Sequence, residues 1–285
     1  MIANPCSRLA LRKMVRPFAY VVKTTPEEYT KEFTFSIIKP DGMQNLGPIF
    51  DRLAKEDFYI RNLRMTRFNK AIAKVFYDEH VGMPYFEIFR EFITSGPIIG
   101  MQLKRLDAIR HFRTVIGPTN SEEAREVAPE SIRAQLGTDN RINTIHGADS
   151  DASATRESEF FFRPQSLMKR NPFKYPNTIL MLKPDLIMNG KLGTVLGGIQ
   201  EAGCEINAMQ SFTTEQLEDL RRTMGTYGPK VIREIKPGIS ILLEISHPKG
   251  FNNLLEEMLR IESENGTGYT HFDRGEEHLS EMIFY

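Results

Sequence analysis

A repeat inside the chain constrains its fold more than any other feature. Ile37-Ile38-Lys39-Pro40-Asp41 lies over Met181-Leu182-Lys183-Pro184-Asp185. The apolar skeleton that follows keeps step, because Ile49, Leu53, Phe58 and Ile60 fall on Val195, Ile199, Cys204 and Ile206 at one constant offset. Two stretches that share a strand, a turn and the apolar spacing after it read as two copies of one folding unit. A length of 285 residues agrees, being enough for two cores. Between the copies Pro164, Pro172 and Pro176 break any helix and mark a linker. The expected division is a basic arm over 1–31, a first unit over 32–164, a linker over 165–176 and a second unit over 177–285.

In the first copy a strand is expected over 33–39, stopped by the Pro40-Asp41-Gly42 turn, then a helix that carries Pro48 in its first turn and a strand over 58–68. Ile72, Val75 and Phe76, and then Phe86, Phe89 and Ile93, have the spacing of two helices. After the Ser95-Gly96-Pro97 break come a strand over 98–103 and a helix over 106–115. Residues 117–129 read as a polar loop, 131–136 as a short helix and 150–161 as a closing helix. The order is β-α-β-β-α-β, the ferredoxin-like plan of the α+β class.

The 37 basic and 37 acidic side chains cancel, which removes any whole-molecule reason to expect nucleic acid or an anionic membrane as partner. No apolar run approaches the ~18 residues that span a bilayer. Cys6 and Cys204 make neither a disulfide framework nor a metal-ligand spacing, so an intracellular location is expected. Charge is uneven locally: Arg8, Arg12, Lys13, Arg16 and Lys23 precede the first acid, Glu27. That bias suits a mitochondrial transit peptide or an arm that lies on an acidic partner. Pro5 and Pro17 interrupt the helix a transit peptide would form, which favours the arm.

Chemistry concentrates at His146, within Asn143-Thr144-Ile145-His146-Gly147-Ala148-Asp149-Ser150. Gly147 leaves room for a bulky group to approach, and Asp149-Ser150 can cap the next helix. An uncharged imidazole, with a reference pKa of about 6.5, is a competent nucleophile towards phosphorus. Phosphoryl transfer also needs cations around the oxygens, since its barrier falls mainly through charge stabilisation and positioning. Lys39, Arg113 and Arg133 are the candidates. Each alone reads as a solvated surface charge, so the weight lies on their joint occurrence.

Over 33–164 the chain resembles the nucleoside diphosphate kinase family. Asn143-x-x-His146-Gly147-x-Asp149-Ser150 is similar to that family's active-site motif, and Lys39-Pro40-Asp41-Gly42 to its opening strand and turn. The resemblance implies a role for each matching residue. His146 would carry the phosphoryl group, Glu157 would orient its ring, and Tyr77 would stand beside it. Phe86 would stack on the base, Lys39 would touch ribose and phosphate, and Asn143 would contact the ribose. Arg113, Thr119 and Arg133 would bind phosphates. It further implies ping-pong transfer between nucleoside tri- and diphosphates, broad base tolerance, and Mg2+ arriving with the nucleotide rather than in a metal site of the chain. Ala148 stands where the family has a serine, Val81-Gly82-Met83 replaces a charged stretch, Arg90 takes a usually apolar position, and the loop over 120–133 is longer than usual.

From residue 178 the chain resembles the same family again, with Lys183 as the one clear counterpart of a first-copy site residue. His271 lies in Gly268-Tyr269-Thr270-His271-Phe272-Asp273, without the preceding Asn or following Gly, so a structural use is expected. Glycines 190, 193, 197 and 198 fit no phosphate-loop pattern and read as turn and helix-packing residues. The stretches Ala202-Gly203-Cys204-Glu205-Ile206 to Gln210 and Asp151-Ala152-Ser153-Ala154 to Ser158 are similar to the corresponding stretches of the tandem-domain axonemal branch of the family, less that branch's extra N-terminal domain. That likeness implies a ciliary axoneme as location, with tubulin and other axonemal proteins as partners, against the mitochondrion as the alternative. It also suggests that the two copies pack as an intramolecular pseudo-dimer.

Overall fold

The computed structural model describes residues 32–163, 177–224 and 236–250, then 252–253, 256–257, 260–261, 263 and 269–271. The expected basic arm and linker lie outside them. The first unit runs β1 (Phe33–Ile38), α1 (Leu46–Lys55), β2 (Tyr59–Thr66), α2 (Lys70–Phe76), α3 (Phe86–Ile93), β3 (Ile98–Lys104), α4 (Ala108–Ile116), α5 (Ser121–Val127), α6 (Ile132–Leu136), β4 (Ile145–Gly147) and α7 (Asp151–Phe162). The second runs β5 (Asn177–Leu182), α8 (Pro184–Met188), α9 (Leu192–Glu201), β6 (Glu205–Thr213), α10 (Thr214–Met224), β7 (Ile239–Ser246) and β8 (Tyr269–His271).

All eight strands form one antiparallel sheet in the order β4-β1-β3-β2-β6-β7-β5-β8. The second unit thus repeats the strand order of the first in reverse. Alternation along the strands sends one set of side chains to each face. Phe35 and Ile37 pack on the α7 side with Phe68, Phe76 and Phe161. Phe161 lies so close to the sheet that a Cβ on Gly100 would sit 2.3 Å from its ring. Across the sheet, Leu53, Leu63, Leu196 and Leu243 belong to one apolar core shared by both units.

A strand seam and a helix crossing join the units among the described residues. Arg64 of β2 pairs with Gln210 of β6, and the Leu63 N–H donates to Ser211 Oγ at 2.8 Å. Below that seam α1 crosses α9 at glycines: a Cβ on Gly47 would lie 2.9 Å from the Gly197 Cα, and one on Gly193 would lie 2.4 Å from the Asp51 nitrogen. Gln200 bridges the crossing, donating to the Met43 carbonyl at 2.7 Å and accepting from the Leu46 N–H at 3.2 Å. Gly193 and Gly197 are therefore the helix-packing residues their pattern suggests.

One part of the first unit departs from expectation. Residues 117–129 are not a continuous loop but contain α5, which starts where Asn120 accepts from the Glu122 N–H at 2.9 Å. Its apolar content is Ala124, buried, and Val127, 67% exposed, too little to print a helical period.

Candidate active site

Two motifs far apart in sequence interlock to build the site. The Lys39 N–H donates to the Thr144 carbonyl at 2.8 Å, and the Thr144 N–H and hydroxyl donate to Asp41 Oδ2 at 2.8 and 3.3 Å. Lys39 Nζ donates to Asn143 Oδ1 at 2.6 Å, while Asn143 Nδ2 donates to the Thr119 and Asn140 carbonyls at 2.7 and 3.0 Å. Thr144 itself has φ +69, the left-handed region, which costs a β-branched residue roughly 1–2 kcal/mol. Gly42 is obligatory in this knot, because a Cβ there would lie 2.9 Å from the Thr144 oxygen.

From that knot β4 carries His146 alongside β1, opposite Ile37, with Ser36 Oγ donating to the His146 carbonyl at 2.8 Å. The imidazole is 22% exposed, and its Nε2 lies 2.8 Å from Oε2 of Glu157, which is 4% exposed on α7. A carboxylate accepts, so Nε2 holds the proton and Nδ1 is left with a free lone pair. Ser150 caps α7 by accepting from the Ser153 N–H at 3.2 Å, which fixes the helix that presents Glu157. The rings of Tyr77 and Phe76 meet the imidazole edge-on, with centroids 6.2 and 6.5 Å away. The Tyr77 hydroxyl is buried with no hydrogen-bond partner among the described residues. Burial, with the carboxylates of Glu157 and Glu79, raises its pKa far above the usual phenol range, so it remains a donor.

Three cations stand next to this histidine's loop. Arg133, 8% exposed, donates through Nε and Nη2 to the Ile145 carbonyl at 3.1 and 2.9 Å and through Nη1 to the Gly117 carbonyl at 2.8 Å. Burial, then the charge of Arg113, brings its pKa down to about 10. Burial, then the charge of Arg133, brings Lys39 down to about 7 against the opposing pull of Asp41 and Asp139. Arg113 is exposed in the last turn of α4. None of the three forms an ion pair among the described residues, although the carboxylates of Asp41 and Asp139 act on Lys39 and that of Asp149 lies in the field of Arg113.

The nucleoside diphosphate kinase family model matches residues 32–167. The nucleoside diphosphate kinase of Aquifex aeolicus is 49% identical over 133 residues, covering 46% of this chain and 94% of that protein. The chain belongs to the nucleoside diphosphate kinase family. Its similarity to "Nucleoside diphosphate kinase homolog 7" of Rattus norvegicus is 36% identity over 223 residues, 75% of this chain and 56% of that protein. The mouse protein of that name is 40% identical over 189 residues, 65% of this chain and 48% of its own length. The chain thus spans about half the length of these curated relatives. A crystal form of the Aquifex aeolicus kinase matches with 48% identity and a TM-score of 0.45, covering 47% of this chain and 96% of that one.

Within this kinase-family site, three residues differ from expectation. Phe86 is 3% exposed, the first residue of the buried Phe86-Phe89-Ile93 face of α3, and it lies under the Arg90 guanidinium at 5.9 Å, so it cannot stack on a base. Tyr85 before it is 41% exposed and shares a 3.0 Å hydrogen bond with His80 Nδ1; it is the accessible aromatic at that lip. The i, i+3, i+7 spacing of Phe86, Phe89 and Ile93 is the signal that could have placed Phe86 on the buried face. Asn143 is 1% exposed with both ends of its amide engaged within the protein, so it holds Lys39 and the Thr119 loop rather than offering a free edge to a sugar. Gly147 is needed for packing rather than for approach of a ligand, since a Cβ there would meet the Phe112 ring at 2.7 Å. Thr119 is exposed, and its carbonyl serves Asn143. Ala148 is 1% exposed and its N–H pairs with the Phe35 carbonyl at 2.9 Å.

The second unit arranges its counterparts differently. His146 stands opposite Ile37, but opposite Met181, the residue aligned with Ile37, stands Thr270; His271 is one step on, opposite Leu180. Asp185, aligned with Asp41, pairs with Lys236 at 2.7 Å. The connection from β7 to β8 is residues 247–268, against 105–144 from β3 to β4.

Proposed function

We propose that the first unit transfers the terminal phosphoryl group of a nucleoside triphosphate to a nucleoside diphosphate through His146. The observation that carries this reading is an imidazole whose Nε2–H donates to Glu157, leaving Nδ1 without a partner among the described residues, beside Lys39, Arg133 and Arg113. Nδ1 attacks the terminal phosphorus, the bond to the bridging oxygen breaks, and the diphosphate leaves with that electron pair. Glu157 stabilises the imidazolium character that develops, and a second diphosphate takes the group back by the reverse step. Tyr77, protonated and unpartnered, can donate to an oxygen of the transferring group. Tyr85 offers a ring face to a base without reading its edge.

Among the described residues no group of three or more His, Cys, Asp and Glu side chains could cage a metal. A cationic donor set suits an ion that arrives on the phosphates, and Mg2+ would supply charge neutralisation there. The decisive experiment mixes the protein with labelled ATP. An acid-labile, alkali-stable phosphoprotein that disappears in His146→Ala is expected; a wild-type protein that stays unlabelled overturns the assignment.

For the second unit we propose a structural role, packed on the first as an intramolecular pseudo-dimer. The reversed strand order, the α1–α9 crossing and the register of Thr270 support it. The same reading extends to a place on ciliary doublet microtubules, with the basic arm on acidic tubulin. Deleting residues 1–26 should then weaken microtubule binding most at low salt.

A further inference from the structure

We propose that Asp41 is a positioning residue for the phosphoryl acceptor, acting through Thr144; the inference rests on the reading of His146 given above. Every polar group of Thr144 is tied to one turn. Its N–H and hydroxyl go to the Asp41 carboxylate, and its carbonyl goes to the Lys39 N–H. Those bonds hold a β-branched residue at φ +69, where it would not stay unaided.

The position matters because of what flanks it. Asn143 on one side anchors the Lys39 ammonium, and Ile145 on the other gives its carbonyl to Arg133. The torsion at 144 therefore sets where two of the three cations are held relative to His146, two residues on. A carboxylate is a costly way to make an ordinary turn here: Asp41 Oδ1 is buried with no hydrogen-bond partner among the described residues, and burial raises the pKa of the group.

The repeated unit provides an internal control. Its aligned aspartate, Asp185, is turned to a lysine, Lys236, and the register position of the nucleophile holds Thr270. The aligned carboxylate thus takes a lysine as its partner in the unit whose register position holds a threonine.

Three variants test the idea: Asp41→Ala, Asp41→Asn and Asp41→Ala/Thr144→Gly. Asp41→Ala should slow labelling of His146 at saturating ATP by about tenfold or more, with the dissociation constant for ATP changed less than about threefold. Asp41→Asn keeps one acceptor for the Thr144 N–H and should fall between. Glycine adopts φ +69 without help, so the double variant should recover most of the lost rate. The 15N shifts of the His146 ring give a readout that does not need turnover: Asp41→Ala should lower the Nε2–H population set by Glu157, and the double variant should restore it. Unchanged labelling and ring shifts in Asp41→Ala overturn the proposal. So does a folded double variant with no recovery, which would make Asp41 a general structural residue. An unlabelled wild type would instead overturn the transfer chemistry, and the ring shifts would still decide the clamp.

Discussion

Lys39 carries the most testable charge in the molecule. With its pKa lowered to about 7 by burial and by Arg133, its amine is largely neutral above that pH in the free protein. A bound triphosphate favours the ammonium form, so binding at pH 8 should take up close to one proton, and binding at pH 6 almost none. Calorimetry in buffers of different ionisation enthalpy measures that number directly, and Lys39→Arg should abolish the difference between the two pH values. Ala148 permits a gain-of-function test. Restoring a hydroxyl with Ala148→Ser supplies one hydrogen bond near His146, a net ~0.5–1.5 kcal/mol, or roughly twofold to tenfold in the rate of phosphoenzyme formation. If the new hydroxyl finds no partner in that buried site, the melting temperature falls and the rate does not rise.

At the scale of elements, the start of α3 sets an exposed ring, Tyr85, directly before a buried one, Phe86. Phe86→Ala should cost about 3–5 kcal/mol of stability, because it empties a buried site among Tyr77, Phe89 and Ile93. Tyr85→Ala should leave stability within about 0.5 kcal/mol and weaken nucleotide binding, which equilibrium fluorescence and thermal melts distinguish. The strands β1 to β3, with α1 and α7, were legible from sequence because apolar residues recur along them and Pro48 and Ser150 mark helix starts. The repeat gave the two-unit plan. The polar surface of α5 hid it. In β4, three residues are too few to show an alternation, and only pairing with Ser36, Ile37 and Ile38 makes them a strand. The role of Asp41 was equally hidden, since it depends on a torsion at a residue 103 positions away. His146, Glu157, Lys39 and Arg133 were legible through a motif, yet the hydrogen bonds of Arg133 to the Ile145 and Gly117 carbonyls were not, because a side chain's partner is set by the tertiary approach of separate segments.

On the scale of the whole molecule, the glycine crossing decides how the halves sit. Gly193→Leu should push α9 away from α1 and break the β2–β6 seam, since its side chain would overlap the Asp51 backbone and the Gly47 carbonyl. Analytical ultracentrifugation should then report an expanded or associating species in place of a compact monomer, with the Gly203→Leu control, where a Cβ meets nothing within 4 Å, checked first for its own strain at φ +76.

The shared sheet also fixes what happens if the chain is cut between its halves. Severing the first unit would uncover the outer rim of β2, with unsatisfied amides beside Leu63 and Met65, and strip the oily underside of α1. Such a fragment would be adhesive, seeking a replacement neighbour from any copy of itself, so the solubility of the first unit would depend on the company of the second.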